Sequence, residues 1–520
     1  MVSAFSLSFL APVVLVVVAV LAFRQPGRRP GRVPHWSEYA AIGAMALAAG
    51  GLIQVLISGP ARLGVGDGVA AFAIRADLFS LSMTLLVAFI GWVVMRYSRT
   101  YLDGEASEGA FHGLMLGTLA AVLIFVQAAS LWVLVLATLA VGLGLKRLLL
   151  FYPERAEARR AAAKFGLVWH GGDIALLLAT IVLVTSYGTA DLTALADLAT
   201  EGLSVAGHVG VALLVLAAVL KSAAFPLHGW LTEVMEAPTP VSALLHAGII
   251  NSGGVILIAT AGLVQASPGA MAALVMIGGF TALFGAAVML TQSAIKTSLA
   301  WSTVSQMGFL LLQCGLGLWA LALLHIVAHS LYKAHAFLSS GGAVAAVAAI
   351  RRPGPVAVPR LNAVLKSFGL ALMLYAGIAL LFSLVLGPKS AQALALGAIL
   401  IFGVAYLVAQ GLADTAPAAL TQRTVLASLT AAVAYFAFQA LAEAVWGPGL
   451  PAAPVPGPLE WGLIVLAVTS FGLVALAQAL FPLWAHHPAA AGLRVHLANG
   501  LYLNALLDSA IGGFRTTGSS

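Results

Sequence analysis

Ionisable side chains recur within apolar stretches between residues 170 and 335 of the chain. An ionisable group inside a membrane segment is costly to insert and marks a functional site by default. Lysine and histidine can each release and accept a proton, so we predict a proton relay. Its candidate members are Lys221, His246, Lys296, His325, His329 and Lys333, with Asp173 and His170 as a pair that loads it.

Lys221 lies in the string LLVLAAVLKSAAFPLHGW, after an uncharged stretch that starts at Val209. Pro226, five residues later, removes a helix hydrogen bond and predicts a break in the helix. A break at membrane depth is tolerated only inside protein or beside a water-filled cavity. A lysine buried there releases its proton more readily, because burial disfavours the charged form. The alternative is a lysine that snorkels to the interface; we favour proton exchange.

His325, His329 and Lys333 are spaced four residues apart in LHIVAHSLYKAHAF. At about 1.5 Å per residue, this spacing makes a ladder about 12 Å long on one helix face. The hydroxyls of Ser330 and Tyr332 and trapped water would fill the gaps. A metal site is the alternative, but the pattern lacks the glutamate of the metalloprotease motif and a carboxylate third ligand. We therefore predict a relay and no metal site.

Three further positions leave two interpretations open. His246, about two turns into the helix opened by APTPVSALLHAGIINSGG, is either a core histidine or a partner of Lys221. Lys296, in SAIKTSLAWSTVSQMG, either joins the relay or marks the cytoplasmic end of its helix. Asp173, with His170 one turn away in WHGGDIALL, either loads protons or makes a structural hydrogen bond.

Apolar helices must position these groups. Of 520 residues, 61% are hydrophobic and 8% are charged, whereas a soluble domain carries about 25% charged residues. The apolar runs have the length that a bilayer requires and predict an all-α, polytopic bundle of about 15 transmembrane helices. The predicted spans are 4–23, 36–57, 76–97, 111–129, 130–150, 165–186, a broken element across 207–235, 240–264, 268–290, 296–316, 319–349, 362–386, 391–413, 418–446 and 459–481.

The net charge of +7 comes from basic residues in alternate loops. The insertion bias for positive cytoplasmic loops explains them, so we expect no nucleic acid partner. Basic residues cluster in 24–32, 96–99, 146–164 and 351–360 and at 423, whereas the loop 187–206 is acidic. This alternation predicts an external N-terminus and a cytoplasmic C-terminus. The single cysteine, Cys314, excludes an intrachain disulfide framework and a Cys-based metal site.

Two strings, KSAAFPLHGWLTEVMEAPTPVSALLHAG and IKTSLAWSTVSQMGFLLL, resemble the core of the proton-pumping membrane subunits of respiratory complex I and of Mrp-type antiporters. ADLFSLSMTLLVAFIGWVVMRYSRTYL and AHSLYKAHAFLSSG extend the resemblance to about residues 70–345. The resemblance implies inverted repeats, each with a broken helix. It also implies proton transfer through Lys221, His246, Lys296, His325, His329 and Lys333.

On this basis we predict N-terminal helices in 1–110, a first antiporter-like repeat in 111–264, and a second in 265–413. C-terminal helices follow in 414–484, and 485–520 forms a cytoplasmic amphipathic tail. Polar and charged residues alternate with apolar ones from Pro488 to Phe514, which suits an interfacial helix or a docking strip.

The sequence departs from the complex I pattern in three places. The family's conserved glutamate on the fifth helix should fall near Leu139 in LATLAVGLGL, where no acid stands. We therefore expect Lys221 to lack its usual ion-pair partner. His170 stands where the family has an arginine, and the long lateral helix of complex I is not expected.

This shortened form, with HAGIINSGGVILI and the tail LRVHLANGLYLNALLD, most resembles the DabB family, the membrane subunits of a two-component inorganic-carbon accumulation system. The resemblance implies a DabA-like partner, a cytoplasmic zinc protein similar to a β-carbonic anhydrase. It also implies that cation flow drives the hydration of CO2 to bicarbonate. We expect the zinc to lie in the partner and no cofactor in this chain.

Our hypothesis is a proton-conducting transporter subunit, not an enzyme, in a prokaryotic cytoplasmic (inner) membrane. The rivals are a redox-coupled pump subunit of a complex I or hydrogenase assembly, a subunit of an Mrp-type Na+/H+ antiporter, and an inert membrane anchor. Lysine and histidine favour protons, although Na+ could pass by backbone carbonyls.

Overall fold

The structure, a computed structural model, describes residues 5–342, 361–411, 418–484 and 487–510. The predicted loop arginines Arg351, Arg352 and Arg360 lie outside these ranges, as does the end of the tail from residue 511. The first part of the chain forms α1 Ala11–Phe23, α2 Val33–Ser58, β1 Ala61–Val65, β2 Phe72–Ala76, α3 Leu78–Tyr101, α4 Glu108–Val126, α5 Leu131–Leu149, α6 Ala156–Tyr187, α7 Leu192–Ala199, α8 Val205–Lys221 and α9 Gly229–Glu233.

The rest of the described chain is also helical. Its elements are α10 Thr239–Ala247, α11 Ser252–Ala259, α12 Ala261–Gln265, α13 Pro268–Met289, α14 Ile295–Gly315, α15 Trp319–Ser339, α16 Leu361–Leu386, α17 Ala391–Gly411, α18 Ala418–Trp446, α19 Pro458–Ala479, α20 Phe481–Trp484, α21 Pro488–Ala498 and α22 Leu503–Ala510.

Most of these helices are long and apolar enough to cross a bilayer. Within the described residues, 11 helical segments meet this criterion, and Leu7–Phe23, Val205–Lys221 and Ala391–Gly403 are shorter apolar helices. Helix α14 has 21 residues but carries many hydroxyl and amide side chains, and it is not among these segments. It can be polar because it packs closely against α13. Over the described residues, these segments and α14 correspond to the predicted spans; the end of the predicted span 319–349 lies outside the described residues.

The helix ends gather into two faces. Gly109 N donates to Gly27 O at 3.2 Å, and Gln292 Nε2 donates to Ala498 O at 3.2 Å. Tyr152 OH donates to Glu105 Oε1 at 3.4 Å, and Arg160 Nη2 donates to Asp508 Oδ2 at 2.6 Å. Together these contacts place the loops 24–32, 102–108 and 150–155 and the tail on one face, which we term the basic end. On the other face, Ser8 Oγ donates to Gln127 Oε1 at 3.2 Å. The described N-terminal residues and the tail thus lie at opposite faces.

A short β-hairpin interrupts the helical pattern between α2 and α3. Strands β1 and β2 pair antiparallel, with Ala61 opposite Ala76. The turn is possible because Gly66 and Gly68 adopt positive φ angles of 74° and 57°. Arg75 N then donates to Gln127 O at 2.7 Å, which fastens the hairpin to the end of α4. The hairpin falls between the predicted spans 36–57 and 76–97, where no strand was predicted. We term this face the hairpin end.

The break predicted from Pro226 is present. Helix α8 ends at Lys221, and residues 222–228 lead without regular helix into α9. A second interruption, the turn Ile249–Asn251, separates α10 from α11. Later in the chain, α16 and α17 are each uninterrupted over the residues described. Irregular backbone therefore concentrates around Lys221 and His246.

Helices α13 and α14 approach each other closely through glycine. A Cβ atom added at Gly278 would lie 2.5 Å from Leu312 N, and one at Gly285 would lie 2.7 Å from Ser305 N. Small residues allow such backbone contact, which stabilises helix pairs inside membranes. This crossing fixes α14, the helix that carries Lys296 and Thr303.

We expect Gly278→Leu to destabilise the protein, because a side chain at this position would meet the backbone of α14. Overpacking of this kind costs about 1–3 kcal/mol. Gly279→Leu is the matched control, since a Cβ atom there has no neighbour within 4 Å. The midpoint of thermal unfolding in detergent should fall by several degrees in the first variant only. Equal midpoints would contradict the close crossing.

Candidate functional site

Lys221 and Asp173 form an ion pair inside the bundle. Lys221 Nζ lies 2.5 Å from Asp173 Oδ1, and the lysine side chain is fully buried. Asp173 Oδ2 lies 2.9 Å from His170 Nδ1, and the His170 side chain is 29% exposed. The three groups therefore form a continuous polar chain from the edge of the bundle to its interior.

Local packing on α6 holds the lysine in place. Lys221 Nζ lies 4.1 Å from the centroid of the Trp169 ring and donates to Trp169 O at 3.5 Å. Gly172 provides the room, because a Cβ atom there would lie 3.2 Å from Lys221 Cγ. Trp169 in turn packs edge-on against Trp230, which follows the break. The helix break, the tryptophans and the ion pair form one packed unit.

Lys221 has an ion-pair partner, although not the glutamate that the complex I pattern places on the fifth helix. On α5, the position expected for that glutamate is near Leu139, which is 37% exposed. The carboxylate comes instead from Asp173 on the neighbouring helix α6. The sequence left Asp173 either as a proton-loading partner of His170 or with a structural hydrogen bond, and the contact with His170 is present. Because Asp173 contacts both residues, it connects His170 to the lysine.

Lys333 and His246 form a second buried group. Lys333 Nζ donates to Leu299 O at 3.0 Å, and His246 Nδ1 lies 3.1 Å from Thr303 Oγ1. Thr303 Oγ1 also donates to Leu299 O at 3.0 Å, so one carbonyl of α14 joins the two. The His246 ring stacks on Phe337 at 4.2 Å between centroids.

A polar bridge spans part of the distance between the two buried groups. Ser222, next to Lys221, is fully buried, and its Oγ has no hydrogen-bond partner among the described residues. This hydroxyl faces Gly253 on α11, two residues after Asn251. Asn251 Nδ2 donates to Ser330 Oγ at 3.0 Å, and Ser330 lies on α15 three residues before Lys333. The described structure shows no direct contact between Lys221 and His246.

His329 and His325 continue the line along α15 beside a cavity. Their rings lie 5.9 Å apart, and both border a cavity of about 370 Å³. Three buried polar groups at this cavity have unpartnered atoms: both ring nitrogens of His329, His325 Nε2 and Gln313 Oε1. Buried polar atoms are almost always hydrogen-bonded, to ordered water where protein is missing. The cavity therefore has both the room and the polar atoms to hold several waters.

Lys296 lies apart from this line. It is half-buried near the start of α14, and its Nζ donates to Thr239 Oγ1 at 3.5 Å. Thr239 Oγ1 donates in turn to Tyr101 OH at 3.4 Å, toward the basic end. The structure therefore places Lys296 at the entrance to α10 and α14, away from the His325–His329 ladder.

Sequence reasoning missed a second set of buried charges. Lys164 Nζ lies 2.7 Å from Glu233 Oε1 and 2.6 Å from Asp508 Oδ1, and Lys164 is only 5% exposed. Lys164 and Asp508 entered the sequence analysis only as residues of a basic loop and of the tail. The signal in the sequence was an acid, Asp508, inside the apolar string LNALLD.

The fold and the site define a class: polytopic membrane subunits with a lysine buried at the break of a transmembrane helix. Residues 128–352 match the family described as NADH:quinone oxidoreductase/Mrp antiporter, TM. Residues 63–112 match the family described as NADH-ubiquinone oxidoreductase (complex I), chain 5 N-terminus. Together the two matches cover most of the region that the sequence motifs indicated, about residues 70–345, and extend a few residues beyond it at each end.

Among known proteins, the chain is 37% identical over 516 residues to the probable inorganic carbon transporter subunit DabB2 of Halothiobacillus neapolitanus, covering 95% of this chain and 91% of that protein. It is 32% identical to NADH-quinone oxidoreductase subunit L of Mycobacterium tuberculosis, covering 79% of this chain and 64% of that protein. A chain of the Mrp complex from Dietzia sp. DQ12-45-1b shares the fold, with a TM-score of 0.63, 23% identity, and coverage of 97% of this chain and 59% of that one.

The chain belongs to the DabB family of inorganic carbon transporter subunits, within the antiporter-like, proton-translocating membrane subunits. The predicted fold class, an all-α polytopic membrane bundle, and the resemblance to DabB are confirmed. The boundaries of the repeats and the roles of the relay residues stay predictions.

The ion pair makes a prediction about stability. Asp173→Asn and Lys221→Met each leave one buried group without its counter-charge, which costs about 3–5 kcal/mol in buried pairs. The double variant removes both charges and should recover much of the loss. Thermal unfolding midpoints of the four proteins, read as a double-mutant cycle, test this pairing. Strictly additive losses would show that the two side chains do not interact.

Proposed function

We propose that this chain conducts protons across the membrane and that their flow energises the hydration of CO2 to bicarbonate by a cytoplasmic partner. The partner would be a DabA-like zinc protein resembling a β-carbonic anhydrase. The observation that carries the proposal is the Lys221–Asp173 pair, a proton donor and acceptor 2.5 Å apart at a helix break. The name of the related DabB2 subunit, an inorganic carbon transporter subunit, supports the link to carbon.

The contacts suggest a route with three stages. Protons enter at the partly exposed His170 and reach Lys221 through Asp173. Ser222, Asn251 and Ser330, with intervening water, lead toward Lys333 and His246.

From Lys333 the line follows His329 and His325 into the cavity between α14, α15 and α17. Lys296 serves as a side entrance from the basic end through Thr239. At every stage, side chains that can accept and donate hydrogen bonds or protons carry the route, and water bridges the gaps between them.

Protons suit this route better than sodium. Hard cations prefer several oxygen ligands in one cage. In the described ranges, no group of three or more His, Cys, Asp or Glu side chains is placed to hold a metal ion. The residues that border the cavity are histidine, glutamine, serine, tyrosine and apolar side chains, with no carboxylate among them. The experiments below must therefore distinguish proton transport from sodium-dependent transport.

In this proposal, the partner carries out the hydration of CO2 to bicarbonate. The cytoplasmic (inner) membrane is the expected location, with the basic end toward the cytoplasm because positive loops are retained there. The tail lies at that same end, where a cytoplasmic partner would reach it. The similarity to subunit L makes a redox-coupled assembly the second candidate, and copurification with quinone or iron–sulfur subunits would favour it. An Mrp-type Na+/H+ antiporter role would instead require sodium.

Replacement of Lys221 tests the proposal directly. Lys221→Ala removes the donor at the break, so energised bicarbonate accumulation and proton flux into vesicles should both be abolished. Lys366→Ala is the matched control, because Lys366 is exposed on α16. Copurification with the partner shows whether the complex still assembles. An assembled Lys221→Ala complex with normal flux would remove the proposed route.

The histidine ladder gives a second test. His329→Leu should reduce proton flux at least tenfold in sodium-free vesicles while it leaves the unfolding midpoint nearly unchanged, because no hydrogen-bonding group among the described residues pairs with the His329 ring nitrogens. His112→Leu is the matched control: His112 is also buried with both nitrogens unpartnered, but it lies on α4, outside the route. Normal flux in His329→Leu, or flux that appears only when sodium is added, would count against the relay.

A further inference from the structure

The tail of the chain is anchored at the base of the broken helix. We name residues 488–510, which comprise α21 and α22, the C-terminal strap. Asp508 Oδ1 lies 2.6 Å from Lys164 Nζ, and Asp508 Oδ2 lies 2.6 Å from Arg160 Nη2. Asn504 Oδ1 accepts from Lys164 Nζ at 2.7 Å. Two side chains of the strap thus contact two cations of α6.

The same cluster reaches α9 on the far side of the break. Glu233 Oε1 accepts from Lys164 Nζ at 2.7 Å and from Asn504 Nδ2 at 2.5 Å. Among these contacts, Arg160 and Lys164 supply two positive charges, and Glu233 and Asp508 supply two negative ones. Removal of the Asp508 charge would take a carboxylate away from the buried Lys164 and from Arg160. The charged contacts of Asp508 therefore set the position of the strap on α6.

A second contact holds the other end of the strap. Ala498 O accepts from Gln292 Nε2 at 3.2 Å. Gly500 lies against Trp301, since a Cβ atom at 500 would be 3.3 Å from that ring. Trp301 packs on His228, within the break, with 4.9 Å between ring centroids. The strap therefore contacts α9 at Glu233 and Trp301, the aromatic residue that packs on His228 in the break.

The cluster and the ion pair connect the same two parts of the fold. Lys164 and Asp173 lie on α6, nine residues or about 13 Å apart. Glu233 and Lys221 lie on opposite sides of the non-helical residues 222–228. Because no regular helix joins α8 to α9, the position of α9 depends on its side contacts. The contact between Lys164 and Glu233 is one of these, and the strap adds Asn504 and Asp508 to it.

We propose that the C-terminal strap holds α6 and α9 at the spacing at which Asp173 meets Lys221, with Asn504 and Asp508 as its positioning residues. The consequence for proton flux rests on the proposed function. The strap itself touches neither Lys221 nor Asp173 in the described structure, so its action passes through α6 and α9. A protein that binds the strap would thereby act on the ion pair.

The test uses the full chain with its partner in liposomes, and two readouts. The first is proton flux per assembled complex. The second is the infrared carboxylate band of Asp173, identified by its loss in Asp173→Asn. Asp508→Asn should shift this band and reduce flux at least tenfold. Asp508→Glu, which keeps the charge, should retain most of both.

Two controls stand beside these variants. Glu201→Gln removes an exposed negative charge far along the chain from the strap. Asn499→Ala changes a strap amide that, among the described residues, donates to Val495 O of the preceding helical turn. Both should match the wild-type band and flux. If Asp508→Asn fails to accumulate, Gly229→Ala replaces it, because the added methyl group would meet the Asn504 side chain without removing a charge.

If the Asp173 band stays unchanged in Asp508→Asn, the inference is overturned, whatever the proton flux. The same holds for Gly229→Ala where that variant takes its place. The band reports the strap even in a protein that does not conduct. A shifted Asp173 band in Asp508→Asn would support the inference about the strap. Normal proton flux in Lys221→Ala would at the same time reject the proposed function. The two failures are therefore distinguishable.

Discussion

The buried ion pair between Lys221 and Asp173 is the constraint on which the rest of the site depends. Its carboxylate reaches the fully buried lysine from a neighbouring helix, and a buried charge that loses its partner is costly. This contact constrains how α6 crosses α8, with Gly172 giving the room for the lysine stem. The helix break lies beside the pair inside the bundle, where irregular backbone at membrane depth is tolerated.

The two halves of the proposed route satisfy their polar groups differently. At Lys221 and Lys333, protein oxygens accept from the ammonium groups. At His325 and His329, no protein group in the described ranges pairs with the buried ring nitrogens named above, and a cavity borders them. A buried ammonium group needs permanent hydrogen-bond acceptors, whereas histidine rings can exchange hydrogen bonds with mobile water. The route therefore has one stage in which protein groups hold the lysines and a hydrated stage beyond it.

Hydropathy and proline predicted the spans and the break because both signals are local in sequence. The ladder of His325, His329 and Lys333 was predictable for the same reason, since helix geometry places residues four apart on one face. Lys221–Asp173 joins residues 48 positions apart, and Lys164–Asp508 joins residues 344 positions apart. No periodicity encodes such contacts. The missing glutamate near Leu139 was a real departure from the resemblance, but the structure meets the same electrostatic need from another helix.

The central claim is that water and titratable side chains connect Lys221 to His325 through the bundle. An electron cryo-microscopy structure of the complex in lipid, at a resolution that shows ordered water, tests it most directly. The account predicts water density from Ser222 past Asn251 to Lys333, and more water in the cavity beside His325 and His329. Dry apolar packing between these groups, or lipid chains in the cavity, would contradict it.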